Sequence, residues 1–351
     1  MNIYSIIRLY QRVRSPRIKL FGIFVLHVLR RRYLNMVFDP TLGCNLRCRM
    51  CYFSDPEKRK SMHGTFTDDD IQAIANSLFH RVLKLQIGCG AEPTVYKRLP
   101  QLISVARQCS IPHISLTTNG QLIDASQLRL LVENGLNEII LSTHGMMQST
   151  YENFMQGARY DRFLQLIADI AKLKATDYPQ LQLRINYTMN ADNISDLQYF
   201  PSIFAKCIPN TIQIRPIQNI GNTSYSNFST DELLAKYDTY ITPLVSYCQQ
   251  NNITCLYPQS ENLQAIDTNE QSAQHANSAI EMLPYFQLSP FEGWRSKIDP
   301  YSESFEDYCR RTHRLRFILR HIIHPNAKNS SDHDDETQLK DVTKALNYNV
   351  T

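Results

Sequence analysis

The chain has 351 residues, with 37 Lys+Arg against 33 Asp+Glu and a formal net charge of +4. At 43% hydrophobic and 20% charged it is globular, which excludes collagen, coiled coil and wholesale disorder. Its length allows one large domain with an appendage or two ordinary ones. Residues 1–38 carry eight basic side chains (Arg8, Arg12, Arg14, Arg17, Lys19, Arg30, Arg31, Arg32) and no acidic one, so the remainder holds 29 basic against 33 acidic residues and sits near -4. The basicity therefore belongs to an N-terminal arm, and the body lacks the basic, aromatic-interleaved stripe of a nucleic-acid partner. Three of the nine cysteines crowd into eight residues and the rest are scattered, a pattern of metal-binding or buried thiols in a reducing, cytoplasmic compartment and not of a disulfide framework.

The arm contains one apolar run, residues 20–29 (LFGIFVLHVL), between Arg17 and Lys19 on one side and Arg30, Arg31 and Arg32 on the other. It is too short for the roughly 20 residues of a membrane span. A basic triplet stands where a signal peptide has small cleavage-site residues, so the segment is read as retained. Two readings of it stay open. A basic, apolar helix can lie in the headgroup plane of an anionic membrane, giving peripheral membrane contact through residues 1–33. The other reading is a helix docked against the body with its arginines solvated.

From Asn35 onward, short β-branched or aliphatic runs (NMVFDP, VLKLQIG, HISLTTNG, NEIILSTHG, LQLRINYTMN, TIQIRPI) alternate with amphipathic stretches, as buried parallel strands alternate with helices. Thr67 followed by Asp68, Asp69 and Asp70 supplies an N-cap and an acidic first turn. VYKRLPQLISVARQC, ASQLRLLVENG with Gly135 past its end, YDRFLQLIADIAKLK and ISDLQYFPSIFAKC read as further helices. Six strand-helix units predict an α/β fold with a parallel sheet, open or part of a barrel, with any chemistry at the C-terminal ends of the strands. Beyond Tyr257 the pattern stops: a polar stretch (258–281), an apolar patch (282–294), a basic helix over SFEDYCRRTHRLRFILRHIIHP and a polar, unstructured tail follow. The division predicted is 1–34 as a basic arm or helix, 35–257 as the core domain, and 258–351 as a polar linker with a mainly helical extension and disordered tail.

The segment FDPTLGCNLRCRMCYF places Cys44, Cys48 and Cys51 in a C-x3-C-x2-C arrangement just after the first strand. A structural zinc site closes with four ligands, and the next cysteine, Cys89, is far along the chain. Three cysteines on a four-iron cube would leave one iron open.

With the trailing aromatic Tyr52 and the strand-end element Gly88-Cys89-Gly90-Ala91-Glu92-Pro93, the sequence resembles the radical S-adenosylmethionine (radical SAM) superfamily over residues 35–257. The second element resembles that family's Gly-Gly-Glu-Pro motif, with Ala91 in place of a glycine. The resemblance implies a partial (β/α)6 TIM-type barrel, a single 4Fe-4S cluster on Cys44, Cys48 and Cys51, and S-adenosylmethionine chelated to the open iron. It implies reductive cleavage to a 5′-deoxyadenosyl radical that abstracts hydrogen from a substrate the sequence does not name, fed by a flavodoxin- or ferredoxin-like electron donor. It further places Tyr52, Gly90, Ala91, Glu92, Thr118, Asn119, Ser142 and Arg184 at the S-adenosylmethionine site. Glu92 and the 90–91 backbone would meet the methionine amino group, Arg184 its carboxylate, and residues 214–217 the adenine. Relatives commonly carry an Asp where His144 or Thr143 stands.

Plainer roles remain open for each: a zinc knot for the cysteines, a turn carboxylate for Glu92, a strand-end hydroxyl for Ser142 and a salt-bridged arginine for Arg184. The scattered cysteines are read as buried apolar residues, with no second cluster. The alternative to an enzyme is a non-catalytic, metal-stabilised scaffold or membrane-recruited adaptor that keeps the fold.

Overall fold

The computed structural model describes residues 13, 15–218, 222–226, 228–260, 263 and 283–324, with the backbone of 348–350. Arg8, Arg12 and Arg14 of the arm, and most of the polar stretch and tail, lie outside the described residues. The six apolar runs form β1 (Leu34–Phe38), β2 (Val82–Ile87), β3 (His113–Thr118), β4 (Glu138–Thr143), β5 (Gln182–Met189) and β6 (Thr211–Pro216). Each pairs parallel with the next. The sheet extends past the six strands expected. β7 (Thr254–Pro258) adds beside β6, and β8 (Tyr285–Leu288), from the extension read as mainly helical, adds beside β1, both parallel. β9 (Tyr348–Val350) pairs antiparallel with β7, giving the order β8-β1-β2-β3-β4-β5-β6-β7-β9. The result is an open, essentially parallel α/β sheet.

Helix starts follow local chemistry. Thr67 Oγ1 accepts the Asp70 N–H at 3.1 Å while Asp70 Oδ2 accepts the Thr67 N–H at 2.9 Å, a reciprocal cap for the helix Asp68–Leu78. Asp124 caps Ala125–Glu133 by accepting the Gln127 N–H at 2.8 Å. Two helix readings change. ISDLQYFPSIFAKC forms a 3-10 segment, Ile194–Tyr199, leading into the short helix Phe200–Ile203; Asp196 in it accepts the Met146 and Met147 N–H groups at 2.9 and 3.0 Å, tying it to the loop after β4. The basic C-terminal helix is two helices, Phe305–Arg311 and Arg314–Ile323, because His313 between them has φ of +51°, outside the helical range.

Strand alternation divides the sheet into two faces. Met36, Phe38, Leu85, Ile87, Ile114, Leu116, Ile139, Leu141, Leu183, Ile185, Ile212 and Ile214 join the core beneath the helices. The intervening positions are largely polar: Lys84, His113, Ser115, Glu138, Arg184, Asn186 and Gln213 are buried, whereas Gln86, Thr117, Ser142, Thr188 and Arg215, towards the C-terminal ends, are only half-buried. The inner face therefore forms a polar lumen that opens at the C-terminal end of the strands.

The N-terminal segment forms the helix Pro16–Val28, which packs on Arg314–Ile323 and buries Leu20 and Ile23. Arg81, fully buried, lies nearby: it donates to the His27 carbonyl at 3.0 Å and stacks over Tyr33 and Phe305. The helix is thus docked against the body, with its other face open: Ile18 is 61% and Phe21 56% exposed. Among the described residues, no helix is long and apolar enough to cross a membrane. Leu20→Ala should lower the unfolding free energy by about 2–5 kcal/mol and Phe21→Ala by less than about 0.5 kcal/mol in urea denaturation; equal effects would contradict the docked geometry.

Candidate active site

The cysteine loop runs from the end of β1 to the 3-10 turn Tyr52–Ser54. Neighbouring loops fix it through the backbone: Arg47 and Arg49 donate their N–H groups to the Gln156 and Phe154 carbonyls, both at 2.9 Å, and Leu42 donates to Gly64 at 3.0 Å. Met50 packs with Phe154 and Ile217 beneath it. Burial pushes the Cys44 thiol up to about 11 and raises Cys48 and Cys51 as well; for Cys48 the neighbouring thiols add to the rise. A cationic partner is what such desolvated thiols need to ionise.

All nine cysteines are free. Among the described residues, no three His, Cys, Asp or Glu are grouped to hold a single metal ion. A four-iron cube takes one cysteine at each of separate irons, so its ligands need not converge on a single point. The three thiols on one loop, in electrostatic contact with each other, are a donor set that fits such a cluster.

The turn after β2 meets this loop. Gly88 has φ of +87°, and a Cβ there would lie 2.5 Å from the Thr117 carbonyl oxygen, so only glycine fits. Asp39, at the end of β1, accepts the Cys89 and Gly90 N–H groups at 2.8 and 3.1 Å and the Ser289 hydroxyl at 3.1 Å. Its carboxyl is nonetheless pushed above the usual range by burial. The Tyr52 hydroxyl donates to the Gly90 carbonyl, and a Cβ on Gly90 would sit 3.0 Å from that hydroxyl. Ala91 has no left-handed backbone, so its methyl brings no backbone strain to the departure from the resembled motif.

Glu92 is 3% exposed. Its Oε1 accepts from the Thr94 N–H and hydroxyl at 3.1 and 2.5 Å and from the Thr118 hydroxyl at 2.7 Å, and its Oε2 accepts the Asn119 N–H at 2.8 Å. Its own N–H donates to the Gly43 carbonyl at 2.9 Å, beside Cys44. Asn119 then reaches the cysteine loop, donating from Nδ2 to Asn45 Oδ1 at 2.9 Å.

The structure thus brings together Cys44, Cys48, Cys51, Tyr52, Gly90, Ala91, Glu92, Thr118 and Asn119. Ser142 stands half-buried near the end of β4, opposite Asn186 of β5. Arg184 lies deeper, donating to Asn186 Oδ1 at 3.1 Å and to Gln213 Oε1. Of residues 214–217, Ile214 points into the helix-facing core, because it has the wrong strand parity for the lumen, while Ile217 packs beside Met50.

His144, just past β4, has a buried Nδ1 with no hydrogen-bond partner, and burial lowers its imidazole to about 4. Cys89 departs from the reading as a buried thiol: it is solvent-accessible. Asp39, Asn45 and Ser289 were not singled out from the sequence. Of these only Asp39 carried a signal, an acid ending an apolar strand directly before the cysteine motif.

Asp39→Ala should leave the Cys89 and Gly90 N–H groups without their acceptor, at about 1–3 kcal/mol for each. Hydrogen exchange at these two amides should accelerate; unchanged protection would contradict the assignment of Asp39 as the clamp of this turn.

Residues 38–181 match the family model of the Radical SAM superfamily. The chain is 31% identical over 150 residues to a GTP 3',8-cyclase of Chlorobaculum tepidum, covering 42% of this chain and 43% of that protein. It is 28% identical over 171 residues to an Fe-coproporphyrin III synthase of Methanosarcina barkeri, covering 48% and 39%. The matches span less than half the length of both relatives. Among solved structures, Streptococcus suis SuiB bound to S-adenosylmethionine aligns with a TM-score of 0.55 at 17% identity, covering 73% of this chain and 58% of that one. That likeness supports the fold alone. Residues 38–181, with the cysteine loop and the parallel strands that carry it, thus match a domain of the Radical SAM superfamily, a family that uses a 4Fe-4S cluster and S-adenosylmethionine.

Proposed function

We propose that this protein is a radical SAM enzyme with one 4Fe-4S cluster on Cys44, Cys48 and Cys51. In this reading S-adenosylmethionine lies across the C-terminal ends of β1 to β4 and the substrate lies below it in the lumen. When bound, the cluster and S-adenosylmethionine supply the radical chemistry, in which an electron from a flavodoxin- or ferredoxin-like donor cleaves a carbon-sulfur bond to give methionine and a 5′-deoxyadenosyl radical.

The chain's own residues position the reactants. Tyr52 and Asp39 hold the 89–91 backbone close to the cysteine loop, so that its polar groups and Glu92 face the methionine amino group. Glu92 is fixed by four donors before any ligand arrives, which lowers the ordering cost of binding. Thr118 and Asn119 hold Glu92 and the loop in register, and Ser142 offers a hydroxyl at the next strand end. Arg184 would provide positive charge from deeper in the lumen. The buried, polar walls restrict water around a reactive intermediate.

The observation that carries this reading is the join between the cysteine loop and the strand-end turn, through Glu92 N–H to Gly43 and Asn119 to Asn45. Anaerobic reconstitution with iron and sulfide, followed by reduction with S-adenosylmethionine, should yield 5′-deoxyadenosine. Cys48→Ala should abolish both the cluster absorbance and that product. A fully clustered wild-type protein that forms none, with or without cell extract as a source of substrate, would contradict an enzyme; bound zinc in place of iron would favour the scaffold reading.

A second element of the proposal is peripheral contact with an anionic membrane. It is supported by the open apolar face of Pro16–Val28 (Ile18, Phe21, Val28), continued by Leu29 and by Leu315, Leu319 and Ile323 on the helix packed against it. Exposed Arg17, Arg30, Arg31, Arg316 and Arg320 lie on the same two segments, as headgroup-plane binding requires. Vesicles of phosphatidylcholine with phosphatidylserine should co-sediment the protein and vesicles of phosphatidylcholine alone should not. Phe21→Asp should weaken the interaction several-fold, and equal sedimentation with both vesicle types would count against it.

A further inference from the structure

The contact between the N-terminal helix Pro16–Val28 and the body contains a histidine whose protonation its neighbours oppose. His27, in the last turn of that helix, is half-buried. Its Nδ1 lies 3.1 Å from the Tyr33 hydroxyl and 3.4 Å from Nη2 of Arg81, and the same guanidinium nitrogen donates to the His27 carbonyl at 3.0 Å. Arginine is a donor only, so Nδ1 can face Arg81 favourably only as a lone pair. Arg314, on the helix packed against this one, reaches the Tyr33 hydroxyl. That guanidinium too can only donate, which leaves the hydroxyl proton of Tyr33 for Nδ1. The docked ring is therefore neutral, with its proton on Nε2.

A second proton, on Nδ1, would point an N–H at the Arg81 N–H and set a third positive charge beside two guanidinium groups. The charged groups that face His27 come from each element around it: Arg81 from the 3-10 turn Phe79–Arg81, Arg314 from Arg314–Ile323 and Glu306 from Phe305–Arg311. Glu306 is the carboxylate among them and is shared, lying 3.5 Å from Arg81 and 3.1 Å from His80. His80 gains from that carboxylate when protonated, so its effect has the opposite sign. On the helix's own side, Arg30 and Arg31 are exposed. Burial, Arg81 and Arg314 together hold the His27 imidazole below its ordinary value of 6.5, against the opposing pull of Glu306. Off the body the penalty vanishes, because a cation in the last turn of a helix is favoured by the helix dipole.

We propose that His27 is a pH-sensitive latch: neutral, it lets the N-terminal helix dock against the C-terminal helix, and protonated, it drives that helix off the body and frees the apolar side chains of Leu20 and Ile23. The released helix takes up a proton near pH 6.5 that the docked helix refuses. Docking is therefore strongest above that pH and weakens as pH falls below it, by at most about tenfold per pH unit for a single proton. A helix of 13 residues is marginal in water on its own, so release also loosens its backbone. The latch stands on its own geometry. One consequence rests on the membrane-contact reading: acidification adds Leu20 and Ile23 to the apolar face offered to an anionic bilayer.

The test uses the full chain, anaerobically reconstituted, at about pH 7.5 and about pH 5.5 and at constant ionic strength, a range that stays above the titration of ordinary carboxylates. Amide hydrogen exchange of residues 19–28 is read relative to the intrinsic chemical rate at each pH. Acidification should cost the wild type several-fold to about tenfold in protection. His27→Gln keeps an acceptor for Tyr33 and Arg81 but does not titrate, so its protection should be the same at both pH values.

The inference is overturned if wild-type protection does not change with pH, or if His27→Gln loses protection as the wild type does. Should the helix of His27→Gln be unprotected already at the higher pH, the test passes to the wild-type imidazole, followed by NMR and identified by the resonance missing from the variant. A titration midpoint below pH 6.5 then supports the latch, and one at or above 6.5 contradicts it. Failure of the membrane reading is distinguishable: exchange would respond to pH and to His27→Gln while vesicles of phosphatidylcholine with phosphatidylserine failed to co-sediment the protein at either pH.

Discussion

A buried carboxylate that cannot be left unsatisfied organises the active end of this molecule. Glu92 leaves water almost completely, and an ionised carboxyl in that position is tolerable only when donors surround it. Its four donors come from its own turn and from the end of β3, and its backbone N–H closes on the cysteine loop. Moving any one of these segments strands a buried polar group, so the three strand ends hold a common position before a ligand binds. Asp39 does the same for the preceding residues, joining the end of β1 to the Cys89-Gly90 turn and, through Ser289, to the segment after β8.

The parallel sheet explains why these groups meet at all. Parallel strands bring their C-terminal ends to one side, and each returns through a helix on the outer face. One strand parity is spent on the helix-facing core, which leaves the other free to be polar. Here that second face carries buried charge: Glu138 sits with Lys84 and His113, and Arg184 lies within electrostatic reach of the same carboxylate. The cysteine loop stands at the opening of this polar lumen.

Much of this was legible in the sequence. The six short aliphatic runs became six neighbouring parallel strands, each setting an apolar parity against the helices and the other parity towards the lumen. The cysteine spacing and the strand-end Gly90-Ala91-Glu92 element marked the site because both depend on local order. What escaped depends on contacts between distant segments. β8 is four residues long and its pairing with β1 has no local signature. Asn45 and Ser289 matter only through Asn119 and Asp39. The break at His313 reflects packing on either side of it, while the residue itself reads as helical. Ile214 was assigned towards the adenine although strand parity, readable from its neighbours, turns it into the core.

The central claim is that the three cysteines hold a cube with one iron left for S-adenosylmethionine. Mössbauer spectroscopy of the protein reconstituted with 57Fe addresses it directly. The account predicts a 4Fe-4S signal in which a single iron site changes its parameters when S-adenosylmethionine is added, and loss of the signal in Cys48→Ala. A spectrum without a four-iron cluster, or a cluster whose irons are all indifferent to S-adenosylmethionine, would contradict it.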